Sequence, residues 1–143
     1  MEETSMILTD EFRQKLIESS LGARHWAYAP YSKYMVGAAL LTSSGKIYDG
    51  VNVENAVYST TICAERVAIF KAVSEGERKF TAIAVATSNG GTPCGACRQV
   101  LSEFGLDIQV LIVNGEGIVE QETTVAELLP GAFGPQDLPD QNT

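Results

Sequence analysis

Thr61-Ile62-Cys63-Ala64-Glu65-Arg66 and Pro93-Cys94-Gly95-Ala96-Cys97-Arg98-Gln99 together hold every cysteine of this 143-residue chain. Three soft sulfur ligands hold a zinc ion and leave its fourth position open, the ligand count of a catalytic rather than a closed structural site. Glu65, two residues after the first cysteine, is then the natural proton carrier beside a water that the metal activates. Cys94 and Cys97 are three apart, so both thiolates fit one helix face at its first turn. Cys63 and Glu65 are two apart, and on a helix body they would point to different sides. They share a site only where the helix end itself faces the metal. Both motifs therefore belong at helix N-termini, whose unpaired N–H groups and positive dipole ends stabilise thiolates. Zinc with three thiolates is net negative, and Arg66 and Arg98, each adjacent to a motif, are candidates to offset that charge.

Outward from these two helix starts, the pattern reads as strands alternating with helices. Cys63 to Glu75 is a helix with Ile62, Val67, Ile69, Phe70 and Val73 as buried positions and Gly76 as its stop. Thr81 to Thr87 is a buried strand, and Ser88 to Pro93 a flexible loop whose proline sits where helices commonly begin. Cys94 to Phe104 is the next helix and Ile108 to Val113 the next strand, followed by a turn at Asn114-Gly115 and a short strand around Ile118 to Glu120. Thr124 with Glu127 suggests a capping box for a last short helix closed by Pro130-Gly131.

Toward the N-terminus, Val36 to Leu41 and Ile47 to Asn52 read as two strands about a turn. Before them Thr9 caps a helix with Asp10 and Glu11 in its first turn and an apolar stripe of Phe12, Leu16, Ile17 and Leu21. The loop Ala29-Pro30-Tyr31-Ser32 ends that helix. Such alternation predicts an α/β fold with a sheet covered on both faces. One domain over residues 1–138 and a mobile tail over 139–143 are expected.

Composition narrows the partners. The chain is 45% apolar and carries a net charge of −8, with no Lys or Arg run longer than Arg78-Lys79. Such acidity repels a phosphate backbone, so a nucleic acid polymer is not expected as a partner. Glu2, Glu3, Asp10 and Glu11 interrupt any apolar signal core. The longest apolar stretch, Val36 to Leu41, is far too short to cross a membrane. An odd cysteine count without a secretory leader argues against a disulfide framework, so a soluble cytoplasmic protein is expected.

Each motif has a plainer reading. A lone Cys-x-x-Cys is as often a structural zinc half-site or a redox pair, but no fourth cysteine completes it here. His25, the one histidine, lies in the first helix beside Trp26 and is read as packed or surface rather than as a ligand. Asn52 and Glu54 read on their own as a strand-end turn. It is the combination of Cys-x-Glu, a strand-length gap and Pro-Cys-x-x-Cys that is specific.

That combination resembles the small tetrameric cytidine deaminases. The likeness includes Val51-Asn52-Val53-Glu54-Asn55-Ala56, Ala29-Pro30-Tyr31-Ser32, Val36-Gly37-Ala38-Ala39 and Leu128-Leu129-Pro130-Gly131-Ala132-Phe133, and spans roughly residues 10–138. The resemblance implies a three-layer α/β/α sandwich with a five-stranded mixed sheet. It implies zinc-dependent hydrolytic deamination of cytidine and deoxycytidine to uridine and deoxyuridine, with ammonia released, in pyrimidine salvage. By position, Cys63, Cys94 and Cys97 would bind one zinc per subunit, Glu65 would shuttle protons, and Arg66 would hydrogen-bond the ligand thiolates. Asn52 and Glu54 would hold the ribose 3′-hydroxyl, and the Ala64 backbone would contact the base.

Ala56 and Tyr58 would reach a neighbouring subunit's site near the 5′-hydroxyl, and Phe133 would cover a neighbour's base, within a homotetramer. The chain departs from the family in having Tyr34-Met35 where Phe then Pro is usual; tyrosine keeps an aromatic face for the base. A related deaminase of blasticidin S or of N4-modified cytidines is the rival enzyme. A structural zinc-binding module is the rival from another class, and Glu65 beside an open metal position speaks against it.

Overall fold

Strands Gly37–Thr42 (β1), Ile47–Val51 (β2), Phe80–Ala86 (β3), Gln109–Val113 (β4) and Val119–Thr124 (β5) pair in the order β2-β1-β3-β4-β5. The coordinates are a computed structural model that describes residues 7–139. Glu2, Glu3 and residues 140–143 of the expected tail therefore lie outside the described residues. β3 and β4 run parallel and every other pair antiparallel, so the sheet is mixed. A parallel pair needs a crossover, and the helix Gly95–Phe104 (α3) supplies it. The remaining helices are Asp10–Arg24 (α1), Ala64–Ser74 (α2) and Val125–Leu128 (α4).

The central strands read as unbroken apolar runs because both faces are buried. Ala39, Leu41, Ala82, Ala84, Ala86, Leu111 and Val113 pack with Leu16 and Ile17 of α1. The alternate residues Ala38, Leu40, Ile83, Val85, Val110 and Ile112 pack with Ala64, Ala68, Ile69 and Ala72 of α2, Leu101 of α3 and Val125 of α4. Helices thus cover both faces, and the expected three-layer α/β/α architecture is present. Two glycines allow the helices to come close. A Cβ on Gly37 would lie 2.1 Å from the Ser20 carbonyl oxygen of α1, and one on Gly50 would lie 2.5 Å from that of Ala64.

Local differences from the sequence reading have physical causes. α1 ends at Arg24, before the Ala29–Ser32 loop, with His25 as its cap. His25 is exposed and Trp26 is 80% exposed, so the surface half of that reading holds. Phe70 is 48% exposed rather than buried. The inner face of α2 is built from alanines and Ile69, and close packing on Gly50 leaves no room there for a phenyl ring. The last strand runs on to Thr124 although its residues are mostly polar, because it is a sheet edge with its outer face in water. Pro93 precedes the α3 cap instead of opening the helix. Only half of the capping box forms: Thr124 Oγ1 accepts from the Glu127 amide, while the Glu127 carboxylate takes the Thr123 and Thr124 hydroxyls.

Candidate active site

Cys63 and Cys94 are the N-cap residues of α2 and α3, both in extended conformation (φ −80°, ψ 153° and φ −68°, ψ 168°). Neither sulfur makes a capping hydrogen bond, so both thiols are free to turn toward a shared point. Cys97 sits in the first turn of α3. Cys63 Sγ and Cys94 Sγ are 3.7 Å apart, and all three sulfurs lie within 4.8 Å of one another. A tetrahedral zinc with Zn–S of about 2.3 Å sets sulfurs about 3.8 Å apart, so the donor set fits that ion.

The electrostatics suit thiolates. Hydrogen bonding from the Cys97 thiol, with help from Arg66 and Cys94, lowers Cys63 to about 5. The same hydrogen bond, together with burial, raises Cys97, since one proton serves the pair. A bound dication would remove that conflict by taking the proton's place. Arg66 Nη2 donates to Cys63 Sγ at 3.3 Å, one helical turn after the cap, and contact with the thiolate raises the arginine in turn. Arg98 does not share this task. Its guanidinium donates to Pro93 O (2.8 Å), Leu128 O (2.7 Å) and Thr92 Oγ1 (3.1 Å), and so braces the loop before Cys94 against α4.

Glu65 is 4% exposed in the first turn of α2. Burial, with the Cys63 thiolate adding to it, pushes its carboxyl up to about 7. A carboxyl with such a value is chemically able both to accept and to release a proton near neutral pH.

Cys63, Cys94 and Glu65 line a cavity of about 310 Å³, shared with Ser32, Tyr34, Val36, Asn52, Glu54, Ala64, Val85, Thr87, Gly91 and Thr92. A larger, open groove of about 500 Å³ along β5 and α4 holds none of the predicted site residues. Asn52 is buried and doubly tied: its Oδ1 accepts from the Val36 amide (2.9 Å) and its Nδ2 donates to Tyr34 O (2.8 Å). One amide hydrogen stays available to the cavity. Glu54 accepts from the amides of Tyr31 (2.9 Å) and Ser32 (3.1 Å) and from the Ser32 hydroxyl, which holds its carboxyl below the usual range.

Tyr34 lines the cavity and donates its hydroxyl to Asn89 Oδ1 at 2.8 Å. Ala56, Tyr58 and Phe133 are exposed and do not line this cavity; the Tyr58 ring packs tilted against Tyr31, at 60° with ring centroids 5.8 Å apart. Thr87, Asn89 and Gly91 carried no sequence signal of their own, since the bond that brings them to the site, from Tyr34 to Asn89, spans 55 residues of chain.

A family model described as the cytidine and deoxycytidylate deaminase zinc-binding region matches residues 10–113. A cytidine deaminase of Sporosarcina psychrophila is 56% identical over 128 residues, 87% of this chain and 93% of the relative. A solved structure of cytidine deaminase from Burkholderia pseudomallei aligns with a TM-score of 0.80 at 47% identity, over 87% of this chain and 99% of that one. The similarity to a blasticidin-S deaminase of Bacillus cereus is lower, 37% over 110 residues, 69% of this chain and 76% of that relative. A cysteine cluster suited to zinc, lying inside the matched zinc-binding region and on the same fold as the solved relative, makes this chain a member of the cytidine and deoxycytidylate deaminase family.

Proposed function

We propose that the chain hydrolyses cytidine and deoxycytidine to uridine and deoxyuridine, releasing ammonia. One observation carries this reading: Cys63, Cys94 and the buried carboxyl of Glu65 line one cavity together with Asn52 and Glu54, and the Cys97 sulfur lies within 4.8 Å of the other two. Cys63, Cys94 and Cys97 hold the zinc. When bound, zinc supplies a Lewis-acid charge that makes water a nucleophile at neutral pH.

The chain's own residues do the rest. Glu65 takes one proton from the attacking water and delivers it to ring N3, then takes the remaining proton from the added hydroxyl and gives it to the departing amino nitrogen. The C4–N bond breaks and the water oxygen stays on the ring. The Ala64 backbone, at the first turn of α2, faces the base beside Glu65. Tyr34 offers its ring to the base, and Asn52 and Glu54 hold the ribose 3′-hydroxyl. Because both are already anchored to the 31–36 backbone, the sugar meets preset groups, which reduces the ordering cost of binding.

We further infer that the enzyme is a cytoplasmic homotetramer serving pyrimidine salvage, in which Ala56, Tyr58 and Phe133 complete a neighbour's site. Support comes from Tyr58 and Phe133, 74% and 58% exposed, which lie outside their own cavity in a chain of otherwise ordinary composition. The three unpaired cysteines suit a reducing compartment. No helix among the described residues is long and apolar enough to cross a membrane.

The test is an ultraviolet assay with cytidine, deoxycytidine, cytosine, adenosine and CMP side by side. Rapid turnover of the two nucleosides, with cytosine and CMP far slower, is the expected result. A site built around a hydroxyl leaves buried polar groups unpaired when the sugar is absent. Equal kcat/KM for cytosine and cytidine would refute the ribose assignment, and efficient CMP turnover would refute the nucleoside reading.

A further inference from the structure

Two chain segments far apart in sequence form adjoining parts of the cavity wall. Ser32, Tyr34 and Val36 come from one, and Thr87, Gly91 and Thr92 from the other, which runs on into Cys94. A single oxygen joins them. Asn89 Oδ1 accepts from the Tyr34 hydroxyl at 2.8 Å and from Thr87 Oγ1 at 3.4 Å. Thr87, 2% exposed, itself accepts the Gly91 amide at 2.8 Å.

The tyrosine hydroxyl also lies directly over Gly91. A Cβ at that position would be 2.3 Å from the hydroxyl oxygen but 3.5 Å from the ring carbon that bears it. Gly91 is not among the positive-φ residues. Its missing side chain therefore answers to the space taken by the hydroxyl and not to backbone conformation.

We propose that Tyr34, Asn89 and Gly91 form a latch between the two walls, and that it fixes the width of the pocket beside Cys94. Tyr34 and Asn89 are then specificity-determining positioning residues that restrict substituents on the reacting amino group. The choice of substrate rests on the deaminase reading above, whereas the steric pairing of Tyr34 with Gly91 does not. The reasoning is geometric. The reacting carbon must lie by the cysteines and Glu65, so the wall continuous with Cys94 borders the amino group that leaves. A wall tied at Thr87, Asn89 and Tyr34 yields little to an added methyl group. Tyr34→Phe keeps the aromatic face and removes the tie.

The experiment compares zinc-loaded wild type, Tyr34→Phe, Asn89→Ala, Gly91→Ala and the combination of Gly91→Ala with Tyr34→Phe. Each is measured for kcat and KM on cytidine and on N4-methylcytidine, and for melting temperature. With N4-methylcytidine, water supplies the new oxygen and methylamine leaves. Gly91→Ala alone should raise the KM for cytidine about three- to thirtyfold, change kcat much less, and lower the melting temperature. Adding Tyr34→Phe should return KM and melting temperature close to those of Tyr34→Phe alone, because the new methyl then meets the ring carbon at 3.5 Å and Asn89 Oδ1 at 3.7 Å, both ordinary contact distances.

Tyr34→Phe and Asn89→Ala should each raise kcat/KM for N4-methylcytidine relative to cytidine by about fivefold or more, the size of effect a methyl group has in a fitted pocket. Additive effects of the two substitutions at positions 34 and 91, or an unchanged substrate ratio, would overturn the latch. Should wild type turn over neither nucleoside, the deaminase reading fails, and the melting temperatures still decide the pairing. Rescue supports it, and additive losses refute it.

Discussion

Arg66 and Arg98 show how far a single residue can be read from its neighbours. Both follow a cysteine of the cluster and both are candidates to offset thiolate charge, yet of the two only Arg66 reaches sulfur. It follows Cys63 by one helical turn, and Arg98 likewise follows Cys94 by one turn, yet the Arg98 guanidinium turns toward the preceding loop and α4. That choice depends on what packs behind α3, which sequence adjacency does not encode. A cation on the Cys63 sulfur favours the ligand's charged form, so Arg66→Gln should weaken zinc binding about ten- to a hundredfold. Competition against a chromophoric chelator measures this, and unchanged affinity would refute the role.

Glu54 carries the pH dependence at this scale. Its carboxyl is held below its ordinary 4.5, first by the Ser32 hydroxyl and then by backbone amides. A lowered value means that folding favours the ionised form, so the tie to residues 31–32 is complete above pH 4.5 and lost as pH falls through the lowered value. The amide resonances of Tyr31 and Ser32 should titrate with a midpoint below 4.5, and a higher midpoint would contradict the assignment. Asn52 and Glu54 were legible as a pair of polar groups near a strand end. Their backbone partners at positions 31–36 were not, because those bonds span some twenty residues of chain.

At the level of elements, the spacing of Cys63 to Glu65 and of Cys94 to Cys97 was enough to place both motifs at helix starts, since no other part of a helix satisfies both. The helix and strand bodies followed from apolar periodicity, with boundaries off by a residue or so. The edge strand β5 was legible only in part, because an outward-facing polar strand has little apolar alternation to read. Phe70 failed for the opposite reason: α2 is apolar around much of its circumference, and only the alanine-rich side fits against Gly50.

Glycines separate packing from propensity with opposite signs. Gly22 lies within α1 and a Cβ there meets nothing within 4 Å, so Gly22→Ala should stabilise by about 0.5–1 kcal/mol. Gly37→Ala drives a methyl into the α1 backbone at 2.1 Å from Ser20 O, and should destabilise by at least about 1–3 kcal/mol. Chemical denaturation of both variants checks the contrast. Equal effects would mean that α1 does not seat on Gly37 as described.

For the whole molecule, the sequence indicated a layered α/β fold and the pocket floor far better than it indicated what closes the pocket. Phe133 is held by its backbone, with Gln99 Nε2 donating to Phe133 O at 2.9 Å, while its ring is 58% exposed. If that ring covers a neighbour's base, Phe133→Ala should weaken substrate binding by about 1–3 kcal/mol and leave zinc content unchanged. Mixing inactive Glu65→Ala subunits with Phe133→Ala subunits should then recover part of the lost activity, as closed symmetry lets one intact site draw on both chains. A fully active monomer by sedimentation would end that account of assembly.

The central claim, that the cysteines hold the metal while Glu65 moves the proton, is tested most directly by measuring zinc content and cytidine turnover on the same preparations of wild type, Glu65→Ala and Cys94→Ala. Glu65→Ala should keep its zinc and lose turnover by about a hundredfold or more, whereas Cys94→Ala should lose zinc, stability and activity together. Equal zinc in the two variants, or a Glu65→Ala rate above about a tenth of wild type, would contradict it.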